Sequence, residues 1–217
     1  MNYTESLAYL DSLGKFGIKL GMERIEGLLR ELGNPEQKIK TVHVTGTNGK
    51  GSVTSMITNI LLAANLKVGK FTSPHLVKYN ERINLNGKDI SDEDFATAIT
   101  AVKVAADSVV KKGVCEQPTQ FEILTAAAFL YFYLQKVDYA VIEVGMGGLW
   151  DSTNVITPVV SVITNVALDH TDRCGKTLER IAMQKAGIIK EKVPLVTAAE
   201  GNEALGPIVS LAMFKEA

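Results

Sequence analysis

The sequence predicts a doubly wound α/β domain whose sheet is mostly parallel. Two continuous apolar runs, residues 139–144 and 159–163, are typical of central parallel strands that are buried on both faces. A β-branched run, residues 40–44, is followed by a glycine-rich loop and then by apolar residues at helical spacing. Because strands alternate with helices in this way, we expect ligands to gather at the carboxyl ends of the strands.

The first elements form a helical opening and a β-α-β unit. Residues 4–13 look helical, and an apolar stripe from Met22 to Leu32 predicts a second helix that Gly33 and Pro35 end. The next predicted elements are a strand at 41–45, a helix at 52–64 with Val53, Met56, Ile57, Ile60, Leu61 and Ala64 at helical spacing, and a strand at 67–71. The crossover between these two parallel strands should be right-handed.

Turn and cap signals divide the rest of the chain. Asn86-Gly87 predicts a small hairpin between residues 83–85 and 88–90. Ser91 opens a helix whose buried face is expected to reach Val109 and Val110, and Thr119 with Glu122 opens another that runs to about residue 135. Further predictions are a helix at 177–190, a short strand at 194–197 and a last helix at 202–214.

Length and charge narrow the class of protein. The chain has 217 residues, a net charge of −1 and a pI of about 6.3, so no overall basic field attracts nucleic acid or an anionic membrane. Cys115 and Cys174 lack metal-ligand spacing, the start has no secretory pattern, and no apolar run is long enough to span a bilayer. We therefore expect a reduced, cytoplasmic protein of one large domain, or of two small ones.

The loop from Thr45 to Ser52 is the strongest chemical signal. A glycine-rich turn that ends a strand and opens a helix brings backbone N–H groups, the positive helix end and Lys50 together, which suits a phosphate. The spacing departs from the common phosphate-binding loop, because only two residues separate Gly46 from Gly49 and the hydroxyl at Ser52 comes one place late. Turn chemistry alone is the alternative, but it leaves Lys50 unexplained.

Other strand ends deliver polar groups to the same predicted edge. Ser73 follows one strand, Glu143 ends another, and Asp169-His170 follow a third. Glu143 with Ser73 offers oxygen ligands for a Mg²⁺ ion beside a nucleotide. The alternative for Glu143 is a buried glutamate whose carboxylate is satisfied by backbone donors.

The histidines and Lys185 permit more than one interpretation. His43 alternates within a strand, which favours a structural side chain, and His75 suits loop packing as well as function. His170 is a candidate metal ligand or phosphate contact. The spacing of Lys185 alone favours a solvated helix lysine.

Taken together and in order, the motifs resemble those of folylpolyglutamate synthase, often also dihydrofolate synthase, of the Mur ligase superfamily. They are His-Val-Thr-Gly-Thr-Asn-Gly-Lys-Gly-Ser (43–52), Phe-Thr-Ser-Pro-His-Leu (71–76), Asn-Glu-Arg-Ile (80–83), Phe-Glu (121–122), Glu-Val-Gly-Met-Gly-Gly (143–148), Asp-Ser-Thr-Asn-Val (151–155), Leu-Asp-His-Thr (168–171) and Lys-Ala-Gly-Ile-Ile-Lys (185–190). Each is weak alone, but the ordered set is specific and covers nearly all of the chain. The fold implied is the central domain of a Mur ligase, which is like that of a P-loop NTPase.

The resemblance implies an ATP-dependent ligase that joins L-glutamate to the γ-carboxylate of a folate, and in some members also makes dihydrofolate from dihydropteroate. The carboxylate takes the γ-phosphoryl group of ATP, and the amine of glutamate then displaces phosphate from the acyl phosphate. Thr47, Asn48, Gly49, Lys50, Gly51 and Ser52 would hold ATP, with Lys50 on its terminal phosphates. The implied partners are these small molecules, and the family tends to be monomeric.

The resemblance also assigns metal and substrate residues. Ser73 and Glu143 would bind the first Mg²⁺, His170 would contribute to a second metal site, and Lys185 matches a lysine that the family carries as a carbamate. Lys50, His170 and Lys185 are thus the candidate catalytic residues. The pterin pocket would be lined by Thr119, Phe121, Asp151 and Ser152.

Three departures from the family pattern matter. Leu149-Trp150 stands where the family commonly has Arg-Leu, and Cys174 replaces an apolar residue. The chain also stops at Ala217, so we expect residues 1–217 to be the ATP-binding domain without the family's C-terminal domain, with weak or absent ligase activity alone. The alternatives are a truncated or degenerate relative that only binds nucleotide or folate, and a cell-wall Mur ligase that acts on a UDP-sugar peptide.

Overall fold

The computed structural model describes residues 1–14, 21–169 and 175–217. Seven α-helices and seven strands lie in this part of the chain. The helices are α1 (Tyr3–Leu13), α2 (Glu23–Glu31), α3 (Lys50–Ala63), α4 (Asp92–Lys111), α5 (Gln120–Leu134), α6 (Leu178–Ala186) and α7 (Asn202–Phe214). The strands are β1 (Thr41–Thr45), β2 (Val68–Phe71), β3 (Ile83–Leu85), β4 (Lys88–Asp89), β5 (Tyr139–Glu143), β6 (Val160–Ile163) and β7 (Leu195–Thr197).

The strands form one sheet in the order β4-β3-β2-β5-β1-β6-β7. The five strands from β2 to β7 in this order run parallel, and β3 and β4 add an antiparallel hairpin at one edge. Asn86 and Gly87 have φ values of 52° and 80°, as a type I′ turn requires. The predicted fold class, a doubly wound and mostly parallel α/β sheet, is confirmed.

Helices cover both faces of the sheet. Val42 and Val44 of β1 pack with the apolar residues of α3, whereas α1, α2, α4 and α5 share the largest buried cluster with Phe71 and Ile142. Ile163 of β6 packs with α6 and α7. Side chains alternate along a strand. His43 of β1 therefore points away from the face that Val42 and Val44 form with α3.

The helix starts predicted from capping residues are confirmed. The Ser91 side chain accepts a hydrogen bond from the Asp94 N–H, and the Thr119 side chain accepts one from the Glu122 N–H. In turn, Glu122 Oε2 accepts a hydrogen bond from the Thr119 N–H at 2.6 Å, which completes a capping box. Glu122 also pairs with Arg24 at 3.1 Å in a buried contact that fastens α2 to the start of α5.

The buried faces of α3, α4 and β6 differ from those predicted from the sequence. Helix α3 leaves Met56 and Ile60 exposed by 62% and 68%, while it buries Thr54 and Thr58. The Thr58 hydroxyl is satisfied inside the helix, since its Oγ1 donates to Thr54 O. The predicted buried face of α4 ends before Val110, which is exposed. Only Ser161 and Ile163 of β6 are fully buried, since β6 lies next to the edge strand rather than at the centre.

Helix α6 is shorter than predicted. It ends at Ala186, and Ile188 and Ile189 donate instead to Lys185 O and Ala186 O three residues back. A Cβ atom on Gly187 would lie 2.5 Å from Leu149 Cα, so the loop after β5 crosses the end of α6 at backbone distance. No helix within the described residues is long and apolar enough to cross a membrane.

Candidate functional site

The loop between β1 and α3 has a backbone that only glycine permits at one position. Gly46 has a φ of 154°, and a Cβ atom there would lie 1.7 Å from Thr164 Oγ1. Gly49 has a φ of 78° and is the N-cap residue of α3. The chain therefore turns tightly from the strand into the helix, and the first turn of α3 opens at the carboxyl edge of the sheet.

The segment after β6, residues 164–167, holds this loop in place. Thr164 Oγ1 donates to Asn48 O at 2.6 Å, and Asn165 Oδ1 accepts from the Asn48 N–H at 2.8 Å. Thr47 Oγ1 donates to Ala167 O at 3.1 Å. Sequence reasoning missed Thr164 and Asn165, and the only available signal was that they follow a strand that ends at the same edge.

Lys50 is half-buried and folds back over its own loop. Its ammonium donates to Gly46 O at 3.0 Å and to Thr47 O at 3.1 Å. An ammonium carries three donors, so one N–H is left beside the first turn of α3. The positive charge predicted for a phosphate site is therefore at the start of the helix.

Glu143 and Ser73 lie side by side near the same helix. Glu143 is 4% exposed, and its Oε2 accepts from the Ser73 N–H at 3.3 Å. A Cβ atom on Gly51 would lie 3.7 and 3.8 Å from the two Glu143 oxygens, so the carboxylate borders α3. One backbone donor among the described residues leaves acceptor capacity on this carboxylate, which has about four lone-pair sites.

The charge state of Glu143 reflects two opposing effects. Burial raises the pKa of Glu143, while the Ser73 N–H, Lys50 and Lys70 act in the opposite direction. No group of three His, Cys, Asp or Glu residues in the described part could hold a metal ion. Mg²⁺ usually takes one or two protein carboxylates and completes its shell with phosphate oxygens and waters, so Glu143 and the Ser73 hydroxyl fit such an ion.

Asp151 and Phe121 meet over Gly145. A Cβ atom on Gly145 would lie 2.5 Å from Phe121 Cζ and 3.1 Å from Asp151 Oδ2. Asp151 is 7% exposed, and its Oδ2 accepts from the Met146 N–H at 2.9 Å. Burial raises the pKa of Asp151, and hydrogen bonds from Thr153, Met146 and Gly145 oppose that rise.

The other two predicted pterin residues have different surroundings. Thr119 is buried, and its hydroxyl is used to cap α5, the helix that carries Phe121 in its first turn. Ser152 is half-buried and begins a short 3₁₀ turn, Ser152–Val155, that Asp151 caps. Trp150, the residue before Asp151, is 48% exposed.

Lys185 is buried, so its interpretation as a solvated helix lysine is wrong. The side chain is 4% exposed on α6, because the loop after β5 covers this end of the helix. Leu149 N–H donates to Gln184 O at 2.8 Å, and Asn154 Nδ2 donates to Gly187 O at 3.1 Å. These contacts, which sequence reasoning missed, bring Lys185 to the loop that contains Asp151.

The histidines separate into three cases. His43 is fully buried in β1, with Nε2 2.9 Å from Thr153 Oγ1. His75 Nδ1 accepts from Arg82 Nε at 2.8 Å and its ring centroid lies 4.4 Å from that of Tyr79, which favours loop packing over function. His170, predicted as a catalytic and metal-site residue, lies outside the described residues, as does Cys174.

Comparison with known proteins identifies the family. The profile of the Mur ligase middle domain matches residues 44–202. The chain belongs to the Mur ligase family. It is 47% identical over 206 residues to the dihydrofolate synthase/folylpolyglutamate synthase of Bacillus subtilis, an alignment that covers 94% of this chain and 47% of the relative. The folylpolyglutamate synthase of Lacticaseibacillus casei is 47% identical over 197 residues, which are 91% of this chain and 46% of that protein.

Solved structures agree with the sequence relatives. The apo form of L. casei FPGS superposes with a TM-score of 0.95 at 43% identity, covering 100% of this chain and 53% of that chain. A structure described as an FPGS-AMPPCP-folate complex gives a TM-score of 0.93 at 43% identity, again over 100% of this chain and 53% of the other. The chain thus spans about half the length of the relatives it matches.

Proposed function

We propose that this chain forms the ATP- and folate-binding half of a ligase that adds L-glutamate to the γ-carboxylate of a folate through an acyl phosphate. The observation that carries the proposal is the convergence of two sites at one edge of the sheet: the loop with Lys50 beside Glu143, and the Asp151–Phe121 pair over Gly145. The AMPPCP and folate in the matched complex support the same two ligands here.

The loop Thr47–Ser52 is the proposed site for the ATP phosphates. Backbone N–H groups at the start of α3 and the Lys50 ammonium offer donors and positive charge to the β- and γ-phosphates. For this, Lys50 exchanges its bonds to Gly46 O and Thr47 O for phosphate oxygens. A phosphate carries more negative charge than a carbonyl oxygen, so the exchange is favourable.

Glu143 and the Ser73 hydroxyl are the proposed protein ligands of Mg²⁺, and His170 is the proposed ligand of a second metal. When bound, Mg²⁺ neutralises charge on the transferring phosphoryl group. Glu143 fits because its carboxylate borders α3 and keeps acceptor capacity, and Ser73 fits because its backbone N–H holds it beside that carboxylate. Their task is to hold the ion against the phosphates; the chain supplies position and electrostatics rather than a covalent group.

Lys185 is proposed to act as a carbamate. The reaction of the neutral amine with CO₂ releases a proton and creates an anion, which suits a phosphate site that also binds cations. The burial of Lys185 beside the loop that contains Asp151 supports this assignment.

The folate pterin is proposed to bind against Phe121, Asp151, Thr119 and Ser152. The Phe121 ring offers a flat apolar surface and Asp151 Oδ2 accepts from ring N–H groups. The γ-carboxylate then attacks the γ-phosphorus, ADP leaves, and the amine of glutamate displaces phosphate and loses its proton. We further propose that the protein works in the cytoplasm, with which the free thiol of Cys115 agrees, and that it works as a monomer, as the resemblance to the family implies.

Calorimetric titration of the 217-residue chain tests the function. We expect tetrahydrofolate or dihydropteroate to bind in the presence of Mg²⁺ and AMPPCP, and a UDP-muramyl substrate not to bind. Heat with the UDP-muramyl compound and none with either folate would contradict the proposal. Binding of AMPPCP alone, without any folate, would instead favour a relative that binds only nucleotide.

A further inference from the structure

Strand β1 buries a row of three polar side chains, Thr41, His43 and Thr45, each fully shielded from solvent. Buried polar groups are costly unless they are hydrogen-bonded. Thr45 Oγ1 donates to Gly147 O at 2.7 Å, and His43 Nε2 lies 2.9 Å from Thr153 Oγ1. Two members of the row thus reach both ends of the segment that contains Asp151.

Thr153 links His43 to Asp151. Its Oγ1 lies 2.5 Å from Asp151 Oδ1, and its backbone N–H donates to the same oxygen at 3.0 Å. Both Asp151 oxygens accept backbone hydrogen bonds, Oδ1 from the Thr153 N–H and Oδ2 from the Met146 N–H, so the single hydroxyl proton of Thr153 points to Asp151. Thr153 Oγ1 must then accept from His43, which requires a proton on Nε2.

The surroundings of His43 agree with a proton on Nε2. Burial, with a smaller contribution from Lys190, lowers the pKa of His43 to about 3, so the ring is neutral and carries one N–H. Nδ1 has no hydrogen-bond partner among the described residues. An orphaned acceptor is tolerated better in a protein interior than an orphaned N–H, which again places the proton on Nε2.

We propose that His43 and Thr153 are positioning residues that fix the Asp151 carboxylate for the substrate ring through the chain Nε2–H to Thr153 Oγ1 to Asp151 Oδ1. Oδ1 is occupied by Thr153, so the carboxyl group cannot rotate freely, and Oδ2 stays beside Gly145 and Phe121. The contact of Asp151 with substrate rests on the proposed function, whereas the hydrogen-bond chain does not.

Matched substitutions separate positioning from stability. Thr153→Val removes the hydroxyl at nearly constant shape, and we expect folate affinity to fall about ten- to a hundredfold, as for loss of a bond to a charged group, with AMPPCP affinity within about twofold. Thr153→Ser and His43→Gln keep the needed donors and should stay within about threefold of the parent. Thr41→Val, a buried threonine of β1 whose hydroxyl has no partner among the described residues, is the control.

Nitrogen-detected correlation spectra of the imidazole at neutral pH test the chain without any ligand. The parent protein should show His43 neutral with its proton on Nε2, and Thr153→Val should shift that signal. A proton on Nδ1, or folate affinity of Thr153→Val equal to that of Thr41→Val, would overturn the proposal. Absence of folate binding by the parent would refute the proposed function, and with it the substrate contact, while the spectra would still decide the hydrogen-bond chain.

Discussion

At the scale of single residues, Lys50 supplies the positive charge of the proposed phosphate site. We expect Lys50→Met to weaken AMPPCP binding at least about tenfold, because a hydrogen bond to a charged group contributes about 1.5–3 kcal/mol. Calorimetry with folate as a second ligand checks whether the loss is confined to the nucleotide. Lys111→Met, at an exposed lysine on α4, is the control, and equal effects of the two substitutions would refute the role of Lys50.

A substitution at Glu143 tests metal binding separately from folding. Glu143→Gln keeps the shape and removes the charge, so Mg²⁺ should no longer strengthen AMPPCP binding, while binding without Mg²⁺ is retained. Because burial raises the pKa of Glu143, the ionised form is disfavoured in the folded state, and we expect thermal stability not to fall. Titrations with and without Mg²⁺ measure the effect; an undiminished response to Mg²⁺ would exclude Glu143 as a ligand.

His43 gives the fold a specific response to acid. Its pKa is about 3 in the folded protein against an ordinary value of 6.5, so the unfolded chain binds the extra proton between these values. Folded-state stability is therefore lost as pH falls below about 6.5, by at most about 1.4 kcal/mol per pH unit. Denaturant unfolding between pH 7 and 4 should show a shallower loss for His43→Gln, and parallel curves would contradict the lowered pKa.

At the scale of elements, Gly46 sets the approach of the β1–α3 loop to the segment after β6. A Cβ atom at Gly46 would overlap Thr164 Oγ1, so Gly46→Ala should destabilise the fold by about 1–3 kcal/mol and weaken AMPPCP binding. Gly206→Ala in α7 is the matched control, since its Cβ atom would meet nothing within 4 Å. The control should be neutral or stabilise by up to about 1 kcal/mol in denaturant unfolding. A stable Gly46→Ala protein would show that the loop can move away.

The elements show what local sequence can predict. Ser91 and Thr119 were sufficient to place two helix starts, because a cap bonds within three residues of itself. The end of α6 was mispredicted because Leu149 crosses it, and the burial of Lys185 follows from the same contact. Periodicity carries no information about a loop that arrives from elsewhere in the chain.

At the scale of the whole molecule, strand-end positions in the sequence were enough to group the loop, Ser73 and Glu143 at one edge. The contacts that fix the site were not predictable, since Thr153 reaches His43 across 110 positions and Thr164 reaches Asn48 across 116. Such pairs depend on the order of strands in the sheet. The roles of the predicted site residues stay predictions, and the chain that carries these residues spans about half the length of its relatives.

The central claim is that folate binds beside Asp151 and Phe121 of this chain. Trp150 allows this claim to be tested directly. Trp150 is the one tryptophan of the sequence, is 48% exposed and precedes Asp151. Titration with tetrahydrofolate should quench its fluorescence saturably beyond the inner-filter effect measured with free tryptophan, in the parent and in Lys50→Met but not in Asp151→Asn. The absence of saturable quenching in the parent, or equal quenching in Asp151→Asn, would contradict the claim.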